Sequence, residues 1–183
     1  MRQHTEATQR CLKAIFSFVL ITLIWTLPST SWAVMEGLST EDLTRSSDSV
    51  ISGNVESTTA RWSDDGKTIL TSAIVVVSEV IKGRSVNQKI EVEYPGGEVG
   101  DIGLRVSDEP DMEEGEKVLL FMKQEIKPSG TQKYNLVGKG QGKYSIGPDR
   151  IARKKGFSLV GGTKQIDAEV PLDDLIEKIR KVK

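Results

Sequence analysis

The sequence predicts an all-β domain with flanking helices, namely a small closed barrel of five or six strands followed by an amphipathic helix. Three observations support this fold class. Strand-like segments recur between residues 51 and 146, most neighbouring segments have no helix between them, and apolar residues recur at helical spacing from Pro171 to Val182. We expect residues 34–183 of this 183-residue chain to form a single domain.

The amino-terminal region is typical of a secretory signal peptide. It contains Arg2, Arg10 and Lys13, and a mostly apolar run from Ala14 to Leu27 ends at Pro28. As a helix, the run would span about 21 Å, which is short of a hydrocarbon core of ~30 Å. An uncleaved membrane anchor is therefore the less favoured alternative, and we expect no stable membrane span after cleavage.

Small residues mark the expected end of the signal peptide. Ser31 and Ala33 have the size that a signal peptidase requires, and they predict cleavage between Ala33 and Val34. The signal peptide is thus residues 1–33, and we expect a secreted or periplasmic protein. Cys11 and His4 are the only cysteine and histidine of the chain. The mature protein would have neither a thiol nor an imidazole for catalysis.

The charge of the mature chain is close to neutral. Residues 1–33 hold three bases and one acid, so the 150 residues that follow have a net charge of about −3. Such a balance does not indicate a nucleic-acid or lipid partner. A domain of this length can bury roughly 68 to 70% of its unfolded surface, and it needs no disulfide or metal for stability.

The first elements of the mature chain show local signals. A short helix is predicted after Leu38, with Ser39 as its cap, Asp42 at the reciprocal capping-box position and Leu43 opposite Leu38 in a hydrophobic staple. A strand with Ile51, Gly53 and Val55 on one face follows it, and Asp64-Asp65-Gly66 predicts a turn.

The remaining strands are predicted from β-branched and apolar runs. The segment from Thr68 to Ile81 has apolar residues at both odd and even positions, which predicts a strand covered on both faces. Lys82-Gly83 ends this strand. In the next predicted strand, Ile90, Val92 and Tyr94 face inward, and Pro95-Gly96-Gly97 ends the strand. We expect an irregular segment from there to about Gly115. Pro128-Ser129-Gly130 predicts a turn. The later strands are expected at Val118–Met122, Tyr134–Val137 and Gly142–Ile146.

The carboxyl-terminal helix, residues 171–182, is expected to pack against the barrel. Asp173 and Asp174 lie in its first turn and Arg180 and Lys181 in its last turn, which suits the helix dipole. Its polar face mixes acids and bases, so a membrane-binding helix is the less favoured interpretation.

The order of these elements resembles a known module. The short helix, the strand from Ser49 to Val55, the long strand ending Val80-Ile81-Lys82-Gly83, the segment Gly115–Phe121 and the end Val170–Leu175 are similar to the netrin-type module. The resemblance implies a Greek-key barrel of the oligonucleotide/oligosaccharide-binding (OB) type, as in tissue inhibitors of metalloproteinases. Those inhibitors present a mature amino-terminal cysteine to the zinc of the protease, and this chain has no cysteine there, so the mechanism does not carry over.

A second resemblance is closer in its residues. Pro95–Gly100, Ile102-Gly103 and Gly140–Lys143 resemble marks of a family of exported prokaryotic proteins with no assigned activity. This resemblance implies no function.

The glycine-rich segment from Pro95 to Val106 is the leading candidate binding site. Gly96 and Gly97 would let backbone amides approach a ligand, and Glu98, Asp101 and Arg105 would supply charge. The alternative is that the glycines only permit positive φ in a loop folded over one end of the barrel.

Three other charged or glycine-rich segments favour structural interpretations. The acidic stretch 108–116 suggests calcium, but its spacing fits no calcium-loop motif and leaves this open. Gly66-Lys67-Thr68 and Gly138–Lys143 resemble phosphate loops, yet the first lacks the required upstream glycine and the second precedes a strand. Arg150, Arg153, Lys154 and Lys155 form a basic cluster, but the mature chain has few aromatic residues for base stacking, and we expect no nucleic-acid partner.

These observations favour an exported, non-catalytic binding module for a protein or cell-envelope partner. We expect no cofactor, no bound metal and no catalytic residue. A protease inhibitor of unfamiliar mechanism and a hydrolase that uses carboxylates are the alternatives. The sequence leaves the ligand and the oligomeric state open.

Overall fold

A computed structural model describes residues 37–83, 87–126, 132–155 and 166–182. The predicted signal peptide with its cleavage between Ala33 and Val34 lies outside the described residues, and so does the predicted turn at 128–130. The helices are α1 (Thr40–Ser46) and α2 (Leu172–Lys181). The strands are β1 (Ser49–Trp62), β2 (Ile69–Lys82), β3 (Lys89–Pro95), β4 (Gly97–Val99), β5 (Ile102–Leu104), β6 (Lys117–Ile126), β7 (Gln132–Leu136), β8 (Lys143–Ile146), β9 (Ile151–Arg153) and β10 (Glu169–Pro171).

Five of the strands close into a barrel. They are hydrogen-bonded in the order β1-β2-β3-β7-β6, and β6 pairs again with β1. All neighbours are antiparallel except β3 and β7, which are parallel where Val92 lies opposite Tyr134. The fold class expected from the sequence, a small all-β barrel of the OB type with flanking helices, is confirmed.

The long first strand makes closure possible. β1 pairs with β2 along its whole length and with β6 from Ser49 to Asn54, and its register shifts at three places, the last between Val55 and Ser57. Such irregularities increase the local twist of a strand. At Gly53 a Cβ atom would lie 2.5 Å from the carbonyl oxygen of Val76, so only glycine fits this close approach of β1 to β2.

The core consists of two apolar clusters on either side of β6. Val118, Leu120 and Met122 face the interior of the barrel, whereas Leu119 and Phe121 face the helices, and all five are fully buried. The second cluster also includes Leu43 of α1 and Leu175 and Ile179 of α2. The apolar stripe of α2 is thus the surface that packs against the barrel.

The prediction that β2 is covered on both faces is wrong in part. Ile69, Thr71, Ala73 and Val75 are buried, but the alternating residues on the outer face, Leu70, Ser72, Ile74 and Val76, are only half-buried. No second layer of described residues covers them. The ion pair between Arg61 and Glu93, 2.9 Å apart, crosses over β2. Long polar side chains from neighbouring strands partly shield apolar residues on the outer face.

The two helices agree with their sequence signals. Ser39 caps α1, its Oγ accepts a hydrogen bond from Asp42 N, and the Asp42 carboxylate accepts from Ser39 N. Leu38 and Leu43 pack in the same cluster, as expected of a hydrophobic staple. Pro171 precedes α2, whose first turn is acidic and whose last turn is basic.

The segment after β3 differs from the prediction. Residues 97–104, expected to be irregular, form the β4–β5 hairpin, which is a separate two-stranded sheet. The short strands β9 and β10 were not predicted. Strands of three residues carry too little periodicity to be recognised in a sequence.

Candidate binding site

The β4–β5 hairpin contains most of the residues that the sequence singled out, and its base is fixed to the barrel. Gly96 N donates a hydrogen bond to the carbonyl oxygen of Ile69 at 2.9 Å. The hydroxyl of Thr71 donates to the carbonyl oxygen of Gly96 at 2.6 Å, and this pair is buried. β2 therefore holds the hairpin through two bonds to one residue.

Glycine is required where the hairpin turns across the end of the barrel. Gly96 and Gly97 have φ values of +117° and +119°. A Cβ at Gly97 would lie 2.4 Å from Thr71 Oγ1 and 2.9 Å from Ala60 Cβ, both on the inner faces of their strands. Gly96 and Gly97 thus have the positive φ that the structural interpretation expects.

The tip of the hairpin is a two-residue turn. Gly100, with φ +61°, and Asp101 connect Val99 to Ile102. A glycine at the first position of such a turn is typical of a type II′ hairpin, which matches the twist of the flanking strands. The strands are short, but the turn fixes their register.

The predicted charged residues lie on the exposed part of the hairpin. Glu98, Asp101 and Arg105 are all exposed, and no described residue forms an ion pair with them. Their carboxylates and guanidinium are therefore available to a partner. The structure brings the five candidate residues into one hairpin, with Gly96 and Gly97 at its base and the charged residues toward solvent.

Two exposed apolar side chains, which the sequence analysis did not single out, belong to this end of the molecule. Ile102 is 55% exposed and Trp62 is 41% exposed, and they are the exposed large hydrophobic residues of the described chain. Trp62 pairs across the strands with Ile69, the residue that bonds Gly96. A signal for the hairpin was present in Gly100-Asp101 between two apolar residues.

The acidic stretch 108–116 is tied to the barrel by its own side chains and backbone. Lys143 Nζ donates to Glu116 Oε2 at 2.8 Å and to the carbonyl oxygen of Asp111, and Ser145 donates to Glu116 Oε1. Tyr94 OH accepts from Met112 N at 3.3 Å. Within the described part of the chain, no group of three or more acidic, histidine or cysteine side chains is arranged to hold a metal ion.

The two phosphate-loop look-alikes are turns. Gly66, with φ +67°, lies in the loop between β1 and β2, where Lys67 faces Asp65. Residues 139–142 form a 3-10 turn, and a Cβ at Gly142 would lie 2.3 Å from the carbonyl oxygen of Val137. Gly66 permits the positive φ of its turn, and Gly142 permits a tight backbone contact.

The basic cluster does not form a positive surface. Arg150 pairs with Asp173 at 2.6 Å, and Arg153 bonds both Asp149 and Glu169. The Arg153 guanidinium lowers the pKa of Asp149 to about 2. The positive charges are thus matched locally by acids.

Lys154, the third member of the cluster, points inward. Its Nζ is buried 4.8 Å from the centre of the Tyr144 ring and has no hydrogen-bond partner among the described residues. Burial lowers the pKa of Lys154 to about 8 and raises the pKa of Tyr144. Sequence reasoning did not detect this site, because nothing in the local pattern separates Lys154 from its solvated neighbours.

A polar network lies beside Lys154, between the helices and β8. Thr40 donates to Asp167 at 2.6 Å and lies 3.4 Å from Tyr144 OH, and Lys178 pairs with Asp167 at 2.6 Å. Burial opposes ionisation of Asp167, but the hydrogen bonds from Lys178 and Thr40 outweigh it and lower the pKa. Thr40 and Tyr144 are fully buried, whereas Asp167 and Lys178 are partly exposed, so this network joins structural elements from the core to the surface.

Comparison with protein-family models and with curated proteins gives no match to this chain. The resemblance to the netrin-type module stays a prediction that rests on the order of elements. No helix in the described ranges is long and apolar enough to cross a membrane.

Proposed function

We propose that this chain is an exported, non-catalytic binding module that contacts a protein partner through the β4–β5 hairpin. The observation that carries the proposal is a hairpin whose base is fixed and whose tip is exposed. Thr71 and Ile69 hold Gly96, while Ile102 is 55% exposed. A fixed backbone loses little entropy on association, and an exposed apolar residue gains burial.

The charges of the hairpin support a protein partner. Glu98, Asp101 and Arg105 are exposed, none of them forms an ion pair with a described residue, and they place both signs of charge within four positions of Ile102 in the sequence. Interfaces between proteins commonly combine an apolar centre with a polar rim that gives specificity. Trp62 at the same end of the barrel adds a second exposed apolar side chain.

The state of the carboxylates supports a non-catalytic function. A hydrolase with two carboxylates needs one acid with a raised pKa. In the described chain, every carboxylate with a resolved shift has a lowered pKa: Asp65 through Ser63, Asp149 through Arg153, Asp167 through Lys178 and Thr40 despite burial, and Glu177 through Lys181. These groups are ionised at neutral pH and cannot donate a proton to a leaving group.

Site-specific photo-crosslinking in the native cell tests the proposal. A photoreactive amino acid at position 102 should give a covalent adduct with a protein upon irradiation. The matched control places the same amino acid at Ser78, an exposed residue of β2 that lies toward the end of the strand opposite to the hairpin. Adducts from position 102 alone support the proposal. No adduct, or equal adducts from both positions, would contradict it.

A protease inhibitor is the second candidate, and one observation favours it. Leu38 N donates to Gln141 Oε1 at 2.7 Å, and Gly140 N of the same turn donates to the carbonyl oxygen of Asp108 at 2.8 Å. Leu38, which would be the fifth residue after the predicted cleavage, thus lies near the segment that follows β5. An inhibitor that presents its amino terminus needs such a neighbourhood.

An inhibition assay separates the second candidate from the first. The processed protein would be added to a panel of zinc and serine proteases, beside a variant with a Gly-Ser extension at its amino terminus. Inhibition that the extension removes supports an inhibitor. No inhibition at a tenfold molar excess excludes it for that panel.

A further inference from the structure

The outer edge of β5 is open. β5 pairs with β4 on one side, and β4 in turn packs against β1 and β2. No described strand pairs with the other side of β5. Natural proteins often protect such an edge with a charged residue or proline. β5 consists of Ile102, Gly103 and Leu104 and has neither.

Gly103 presents its backbone to this edge. Val99 and Ile102 flank a two-residue turn, so they form the hydrogen-bonded pair of the hairpin, and Glu98 and Gly103 form the next, non-hydrogen-bonded pair. In such a pair the N–H and C=O groups point away from the partner strand. Gly103 is exposed and has no side chain to block access to these two groups.

The residues around Gly103 are self-complementary. The order from 101 to 105 is acidic, apolar, glycine, apolar, basic: Asp101, Ile102, Gly103, Leu104, Arg105. If two such segments pair antiparallel about Gly103, Ile102 lies opposite Leu104 and Asp101 lies opposite Arg105, each twice. Cross-strand pairs of opposite charge and of apolar residues both stabilise a sheet.

We propose that the partner of the hairpin is a second copy of this chain, joined edge to edge through β5 about a two-fold axis at Gly103. The two Gly103 residues exchange both N–H···O=C bonds. The two Ile102–Leu104 contacts lie on one face of the resulting four-stranded sheet, and the two Asp101–Arg105 ion pairs lie on the other. A two-fold axis is the commonest symmetry of soluble oligomers and places identical surfaces against each other.

The charges favour a second copy over an unrelated peptide. Neither Asp101 nor Arg105 pairs with any described residue of the single chain, and self-pairing neutralises both at once. An unrelated strand would have to supply a base and an acid four residues apart with glycine-like space between them. The interface is small, so the dimer should be weak, with a Kd on the order of micromolar or higher.

Sedimentation equilibrium of the protein, expressed with its own leader and purified as the host processes it, measures the dimer. D101R and R105D should each weaken self-association about tenfold, because each places like charges opposite each other. The double variant D101R/R105D should restore it. A mixture of the two single variants should form heterodimers, since all four charges are then complementary.

A backbone variant tests the geometry independently of charge. G103P removes the N–H that points outward and leaves the hairpin's own bonds in place, so it should abolish self-association. G103A keeps the N–H, and its Cβ would be in ordinary contact with the Glu98 side chain, whose nearest atom is Cγ at 3.5 Å, so it should retain the dimer. E114R reverses an exposed acid outside the hairpin and serves as the charge control.

The outcomes separate this inference from the proposed function on which it rests. A monomer at all concentrations up to about 1 mM, or a dimer that single reversals do not weaken, overturns the inference. If position 102 then still gives adducts with another protein, the proposed function stands and only the self-pairing is wrong. An adduct with twice the mass of the chain would support both the self-pairing and the proposed function.

Discussion

Gly97 shows most clearly how one residue determines the geometry of the candidate site. It has φ +119°, and its missing Cβ leaves room for Thr71 Oγ1 and Ala60. Gly100 also has positive φ, but no atom lies within 4 Å of where its Cβ would be. Substitution of the two glycines by alanine therefore distinguishes the energetic cost of an unfavourable backbone conformation from the cost of a steric clash.

We expect G97A to lower the free energy of unfolding by about 3 kcal/mol, since strain and overpacking add. G100A carries only the strain and should cost about 1 kcal/mol. Urea denaturation followed by circular dichroism measures both. Equal costs for the two variants would show that the hairpin does not pack on Thr71 and Ala60 as described.

The environment of Lys154 leads us to predict how stability depends on pH. Its folded-state pKa is about 8, whereas the ordinary value is 10.5, and burial is the main cause. Below pH 8 the folded and unfolded states both hold the proton, and the buried charge destabilises the fold. Between pH 8 and 10 the folded state releases the proton while the unfolded state keeps it, so stability increases with pH.

The contribution of Lys154 to the free energy of unfolding should therefore rise by about 2 kcal/mol between pH 8 and pH 10. K154M should remove this rise and raise stability at pH 7, because it replaces a buried cation that has no hydrogen-bond partner among the described residues with an apolar side chain of similar length. K155M, at an exposed neighbour, is the matched control. A pH profile that K154M leaves unchanged would contradict the assignment.

At the scale of elements, the link between the acidic segment and β8 depends on one buried ion pair. The side chain of Lys143 is 8% exposed, and its ammonium lies 2.8 Å from Glu116, which also accepts from Ser145. Removing either the Lys143 ammonium or the Glu116 carboxylate leaves the other charge without its partner in a poorly solvated site. Removing both should cost less than the sum of the single losses.

We expect K143M and E116L each to destabilise the protein by about 3 kcal/mol and the double variant to cost less than their sum. A thermodynamic cycle of the three variants, measured by urea denaturation, gives the coupling between the two side chains. E114L removes an exposed neighbouring acid and should change stability by less than about 0.5 kcal/mol. Additive losses in the cycle would mean that the pair is not coupled.

Elements with strong local signals were predictable, and short ones were not. The capping box at Ser39 and Asp42 is read from spacing alone, and the structure confirms it. β4 and β5 have three residues each, and the glycines around them indicate a loop as readily as a hairpin. The hairpin depends on contacts of Gly96 and Gly97 with residues about 25 to 37 positions earlier in the chain, which no local pattern contains.

At the scale of the whole molecule, the predicted leader would determine the compartment in which the barrel works. The predicted cut before Val34 leaves a chain without cysteine, so the fold does not depend on the redox state of its compartment. The closed β1–β6 pairing is consistent with that independence, because a barrel has no open edge and needs no covalent closure.

Mass spectrometry of the protein isolated from its native host tests the processing. We expect a single species that begins at Val34. A mass that still includes His4 and Cys11 would contradict export through a cleaved leader, and it would return a thiol and an imidazole to the chemistry of the working protein.

The sequence by itself determined the β-rich fold class, the paired long strands, both helices and the position of the glycine-rich segment. Each of these has a local cause, such as side-chain alternation, a cap or a glycine at a turn. The tertiary structure decided which faces are buried, where Lys154 points and that residues 97–104 form a hairpin with an open edge. These properties depend on contacts between residues far apart in the chain, and burial and pairing energies at such contacts outweigh local preference.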